Sequence, residues 1–183
     1  VQAKGDFGQD GVYMPEYYYD KDNGRKVTKA GFVKDNRGLT YYLDEKGNKV
    51  LGLHEINGDL YYFRRGGAYK YTQLGDMWQD SINYIDGKIY YFGHDGRAIK
   101  NRFYQWGNYW YYFYADGSAA TGAVQINGQQ LYFDKNHGRQ VKGAFAPDGH
   151  YYDENSGELV TNQTRTIKGV TYHFDENGNA TKV

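Results

Sequence analysis

Many residues here could do chemistry, but few of them are grouped. The five histidines, His54, His94, His137, His150 and His173, are scattered and share no metal-ligand spacing. The three serines, Ser81, Ser118 and Ser156, have no local histidine–acid partner set, and two of them fall in turn-forming stretches. The paired acids Asp44-Glu45, Asp153-Glu154 and Asp175-Glu176 sit where a turn is expected, and there Asp bonds its own backbone. No glycine-rich loop leads into a helix to cradle a phosphate. The loops DKDNG (20–24) and DENSG (153–157) are too short for a calcium loop and lack its distal bidentate Glu. No catalytic residue, metal or cofactor is therefore expected.

One stretch does group. Tyr132 is followed by GRQVKG (138–143). In a strand Gln140 and Lys142 share one face and Val141 points the other way, because side chains alternate with period two. An aromatic ring, an amide and an ammonium suit a neutral sugar. The flat apolar face of a pyranose lies on a ring, and its hydroxyls accept from and donate to the polar groups. Tyr112 and Tyr151 occupy the homologous position in the flanking copies and are candidates for further walls. A partial second set is Tyr91 with Lys100 in GRAIKN (96–101), where Ala98 stands in the Gln place.

The elements that must position these residues repeat. Aromatic triplets begin at 17, 41, 61, 90, 111, 131, 150 and 172, and the following glycines stand at 24, 47, 67, 96, 117, 138, 157 and 178. The period is about 21 residues, with an insertion expected near 72–83. Each copy reads as a β-hairpin. Aromatic residues favour strands, and Asp95-Gly96, Asp116-Gly117 and Asn177-Gly178 carry the dipeptide of tight turns whose two central residues have positive φ. A second set of turns falls between copies, at Asn57-Gly58, Asp86-Gly87, Asn127-Gly128 and Lys168-Gly169. A lone hairpin of this size is marginal in water, so stacking is required. The expected fold is all-β, a β-solenoid of about eight stacked hairpins forming a single repeat domain over 1–183. Its clearest copies lie at 106–161, and the third triplet residue forms the inward column.

Composition agrees. Ile, Leu, Val and Phe together number 34 of 183 residues, while 22 Tyr, 9 Phe and 3 Trp supply the apolar mass. Lys+Arg and Asp+Glu are both 22, so no electrostatic footprint for nucleic acid or anionic lipid exists. No apolar run is long enough for a membrane-spanning helix. There is no cysteine. The chain starts mid-phrase at Val1 and reads as a monomeric segment of a larger chain.

The run WYYFYADGSAATGAVQINGQQLYFDKNHGRQVKG (110–143) resembles the YG-type repeats of the glucan-binding domain of bacterial glucansucrases such as dextransucrase, the secreted enzymes that build α-glucans from sucrose. The resemblance is strongest over 106–161 and looser over 13–105 and 162–183. It implies secretion, with possible attachment at the cell surface, and non-catalytic binding of a dextran-like α-glucan or its isomalto-oligosaccharides. It carries the family's tyrosine-plus-QxK pocket onto Tyr132, Gln140 and Lys142, with Tyr112 and Tyr151 beside them. Choline-binding repeats share the hairpin, so the alternative is a module anchoring a surface protein to choline or another envelope polymer. The Gly-Trp opening of those repeats is replaced here by GFV (31–33), GLH (52–54) and GAF (143–145). The remaining alternative is a spacer without working pockets.

Overall fold

The computed structural model describes residues 4–9, 16–66 and 74–183. No helix occurs among them, and they form eight hairpins. These are β1 (Asp6–Gln9) with β2 (Glu16–Tyr19), β3 (Gly31–Lys34) with β4 (Thr40–Leu43), and β5 (Gly52–Ile56) with β6 (Asp59–Phe63). β7 (Ser81–Ile85) with β8 (Lys88–Phe92), β9 (Arg102–Trp106) with β10 (Tyr109–Phe113), and β11 (Gly122–Ile126) with β12 (Gln129–Phe133) follow. The last are β13 (Ala144–Phe145) with β14 (Tyr151–Tyr152), and β15 (Gln163–Ile167) with β16 (Val170–Phe174), to which β17 (Ala180–Lys182) adds a third strand. The expected all-β architecture of hairpin repeats is what the chain adopts.

The turns divide the work differently from the sequence expectation. Four of the five hairpins with five-residue strands close at turns where Asn57, Asp86, Asn127 and Lys168 and the glycines after them all have positive φ, the primed turn whose twist matches the strands. β9–β10 turns at Gly107-Asn108 with only Gly107 positive. At Asp95-Gly96, Asp116-Gly117 and Asn177-Gly178 only the glycine has positive φ. Gly117 N–H donates to the Tyr114 carbonyl at 3.0 Å, and Gly96 and Gly178 likewise bond three residues back. These are three-residue loops ending in a left-handed glycine, and they launch a short segment rather than a full strand.

That short segment joins the copies. Two residues past the turn glycine an N–H donates to the preceding hairpin: Ala119 to Ile89 O (2.8 Å), Gln140 to Trp110 O (2.8 Å) and Leu159 to Gln130 O (2.8 Å). The next N–H returns to its own hairpin, as in Val141 to Tyr132 O and Val160 to Tyr151 O. Each hairpin edge is thus covered by backbone from the following copy, which removes an exposed ladder. In the long copy Met77 N–H bonds Thr40 O and Gly75 N–H bonds Arg64 O. Gly75 therefore serves as that copy's turn glycine, and the extra residues precede it. Gly67, Thr72 and Gln73 lie outside the described residues.

The contacts form two compact units, one of 1–82 with 91–98 and one of 83–90 with 99–183. The tip of the β7–β8 hairpin belongs to the second and its base to the first. In both, the third triplet residue is the inward column: none of Tyr19, Leu43, Phe63, Phe92, Phe113, Phe133, Tyr152 and Phe174 is more than 6% exposed. In the second unit Phe133 packs with Leu131, Ile126 and Ala120, and Phe103 and Tyr112 lean on them. In the first, Phe63 packs with Ile56 and Tyr61, bordered by Met77.

Glycine is required at Gly47 for two reasons. Its φ is +81°, and a Cβ there would lie 2.1 Å from the backbone oxygen of Val27 in the copy before. At Gly58 φ is +86° but a Cβ would meet nothing within 4 Å. Gly47→Ala should cost about 2–3 kcal/mol in urea unfolding, against about 1 kcal/mol for Gly58→Ala, because only the former adds a backbone clash to the left-handed strain. Equal costs would mean that the copies can separate at Gly47.

Candidate functional site

The site is built where three copies meet within the second unit. β10 supplies Trp110, which remains 37% exposed while Tyr111 and Phe113 are sealed. Across the hairpin its register partner is Gln105. The next copy's segment lies beside it, because Gln140 N–H is bonded to Trp110 O at 2.8 Å. Two residues on, the Lys142 ammonium sits 5.9 Å from the Trp110 ring centre, inside cation–π range. The turn of the copy after that closes the site. Lys142 Nζ donates to the Asn155 carbonyl at 2.9 Å, and Gln140 Nε2 donates to the Ser156 carbonyl at 3.4 Å. Gly157 lets this turn approach, since a Cβ on it would lie 2.4 Å from Gln140 Nε2 and 3.1 Å from Lys142 Cγ.

Gln140 and Lys142 therefore share a face, and each reaches toward the same turn. Tyr132 lies elsewhere. It is 2% exposed and packs with Val141, Tyr152 and Ala146, so it occupies the Val141 side of the strand. Tyr112 is half-buried against the Phe133 cluster, 4.9 Å from Phe103. Tyr151 is 3% exposed and packs with Val160 and Phe174, but it lines a cleft with Asp153, Glu154 and Arg165. Tyr91 is buried and Lys100 half-buried, and they fall in different units. The ring beside Gln140 and Lys142 is thus Trp110, which sequence reasoning did not select. Trp110 directly precedes a triplet and Tyr109 stands one place earlier, and nothing within one copy says which of the two meets Lys142.

The turn beneath Lys142 is held by charge. Asp153 accepts from the backbone N–H groups of Ser156 and Asn155, both at 2.8 Å, and from Arg165 at 2.7 Å. These donors hold its carboxyl well below the usual carboxylate range, the Ser156 N–H most strongly. Asp116 is lowered to about 2, first by the Ser118 hydroxyl and then by Lys88. Asp20, Asp44 and Asp175 are lowered by the same turn pattern. A depressed folded pKa adds stability that is present above the unfolded value, about 3.9, and is lost as pH falls through the folded one. Asp76, raised by burial, works the other way but is alone among the aspartates. The melting temperature should therefore stay level from pH 7 to 5 and fall between about pH 4 and 2. A decline already complete at pH 5 would contradict these hydrogen bonds.

Comparison with known proteins places the chain. A choline-binding repeat matches residues 120–163, and a cell wall binding repeat matches 30–49, 101–119 and 165–180. The chain carries choline-binding and cell-wall-binding repeats. It is homologous to a stretch of streptococcal glucosyltransferases. It is 37% identical over 187 aligned residues to glucosyltransferase-S of Streptococcus mutans, covering 98% of this chain and 12% of that protein. It is 38% identical over 165 residues to glucosyltransferase-I of Streptococcus downei, covering 86% of this chain and 10% of that one. The chain thus spans about a tenth of the length of these relatives. Among solved structures, choline binding protein F of Streptococcus pneumoniae aligns with 31% identity and a TM-score of 0.63, over 86% of this chain and 48% of that one. The match covers binding repeats, and the described residues show no catalytic fold.

Proposed function

We propose that this chain is a non-catalytic carbohydrate-binding array that holds an α-glucan, dextran-like polymer for a secreted glucosyltransferase. The observation that carries the reading is the convergence of Trp110, Gln140 and Lys142 from successive copies on one accessible face. The indole offers the apolar face that a pyranose needs. Gln140 and Lys142 donate to hydroxyls, and their bonds to the 155–156 carbonyls hold both side chains in place beforehand. One such shallow site is weak, since each neutral hydrogen bond adds about 0.5–1.5 kcal/mol net. Several sites on one polymer gain through effective concentration. That is a physical reason for repetition, and it suits a module that keeps product near its enzyme outside the cell. Retardation of the chain in a native gel containing dextran tests the reading, and migration equal to that in a dextran-free gel refutes it.

A second reading has its own observation. The Lys49 ammonium, ion-paired with Glu16 at 2.7 Å, lies 3.6 Å from the Phe7 ring centre and 4.9 Å from that of Tyr41, so rings of this chain do border an alkylammonium. Phe32, exposed, meets Tyr42 and Tyr61 edge-on at 4.8 and 5.2 Å in a similar cluster. A quaternary ammonium of an envelope polymer would suit such rings. Retention on a choline matrix, eluted by free choline, would favour wall attachment over glucan binding. Silence toward both ligands would leave the chain a spacer.

A further inference from the structure

Tyr132 borders a cleft on the Val141 side, Tyr151 borders one beside the 153–157 turn that caps Lys142, and the two clefts are built on the same positions one copy apart. The first, about 470 Å³, is lined by Ala123, Tyr132, Asp134, Asn136, Pro147 and Asp148. The second, about 570 Å³, is lined by Gly143, Tyr151, Asp153, Asn155, Arg165 and Thr166. Tyr, Asp and Asn recur at an interval of 19 residues, the spacing of these two copies. In each the middle tyrosine of the triplet contributes to the wall, and the following hairpin supplies the opposite side.

Resting on the α-glucan reading, we propose that these clefts form a second class of hydroxyl-reading subsite, built on residues other than Trp110, Gln140 and Lys142 and, in the second cleft, on the other side of the 153–157 turn that caps them. The carboxylates are fixed by their own turns. Asp134 accepts from the N–H groups of Asn136, His137 and Arg139 at 3.1, 2.6 and 3.0 Å. Asp148 accepts from the Tyr152 hydroxyl at 2.8 Å. The Asp134 oxygen that bonds Arg139 and both Asp148 oxygens keep further acceptor capacity for a sugar hydroxyl, and charge-assisted bonds of this kind are the strong ones. Ala123 and Pro147, both exposed, supply the apolar patch for the sugar face, with the buried Tyr132 ring behind them. The charges nearly compensate: Lys135 also lines the first cleft beside its two acids, and Lys168 and Arg165 face Asp153 and Glu154 in the second. A neutral polyol fits that balance better than an ion does. Both clefts are of ligand-pocket size. Because Tyr132 lies on the Val141 side, a polymer held there approaches a different face from one held by Lys142.

The test separates the two readings. Isomaltotriose is titrated calorimetrically into the full 183-residue chain and into its Gln140→Ala/Lys142→Ala variant, with amide shifts mapped by NMR. The expected result is that the double variant still binds, about one equivalent fewer, and that its remaining shifts centre on 134–136 and 165–168, since the 153–155 turn also borders the altered face. Asn136→Trp and Thr166→Trp, both at exposed positions, should each remove one further equivalent while the far-ultraviolet spectrum is unchanged. A wild type that binds and a double variant that does not would overturn the second class and leave the first face standing. A wild type that binds nothing would overturn both.

Discussion

Dextran affinity is expected to fall steeply when the three-copy face is dismantled. Lys142→Ala removes an ammonium that can donate to a sugar hydroxyl, a bond to a charged group of about 1.5–3 kcal/mol, or roughly 10–150-fold in affinity. Gln140→Ala removes a neutral amide and should cost about 2–10-fold. Trp110→Ala removes the platform. If ring and sugar together bury about 80 Å² of apolar surface, the loss at about 25 cal/mol/Å² is about 2 kcal/mol, near 30-fold. Tyr132→Phe should change affinity at this face little, because Tyr132 packs on the Val141 side. Isomaltotriose calorimetry reads all four, and indole fluorescence reads the three that keep Trp110 in the site. If Trp110→Ala bound as well as wild type while Tyr132→Phe did not, the ring assignment would have to be reversed. On dextran the losses should be larger than on the trisaccharide, as a lost site also lowers the effective concentration at the others.

Asp35→Ala is expected to unfold the first unit's β3–β4 hairpin far more readily than any other turn substitution. Asp35 is only 5% exposed. One of its carboxylate oxygens accepts from the N–H groups of Arg37 (3.0 Å) and Leu39 (2.9 Å). The other accepts from the Arg37 guanidinium (2.6 Å) and the Tyr41 hydroxyl (3.1 Å). Burial alone would raise its pKa, but the Arg37 guanidinium, the Leu39 N–H and the Tyr41 hydroxyl together hold it below the usual value. Tyr41 is itself fully buried, so alanine at 35 takes away the acceptor that its phenol and the Arg37 and Leu39 N–H groups use. Removing one partner of such a buried charged group costs about 3–5 kcal/mol. Asn at 35 keeps an acceptor and should cost about 1–2 kcal/mol. Urea unfolding followed by near-ultraviolet tyrosine dichroism measures both. A cost for Asp35→Ala below about 1 kcal/mol would mean the hub is not formed in solution.

The repeat, the strand content and the inward column were legible from residues alone. A period near 21, a triplet that ends in Phe, Tyr or Leu and a glycine after it suffice, because strand alternation and turn chemistry are local rules. The Gln140–Lys142 face was legible for the same reason: period-two alternation puts both on one side. The roles of the two turn sets were not. Asp-Gly and Asn-Gly serve either a primed turn or a loop ending in a left-handed glycine, and the choice depends on whether a full strand or a short segment follows.

The sequence by itself determined that this protein is a stack-forming hairpin repeat with an amide and an ammonium side by side, since both statements follow from spacing within one copy. Only the tertiary structure decided which ring joins them. The segment holding Gln140 and Lys142 bonds backward to Trp110 and is capped forward by the 155–156 carbonyls, while its own Tyr132 turns to the other side. Hydrogen bonds between copies set that partnership, and residues about 30 apart in sequence carry no local sign of meeting.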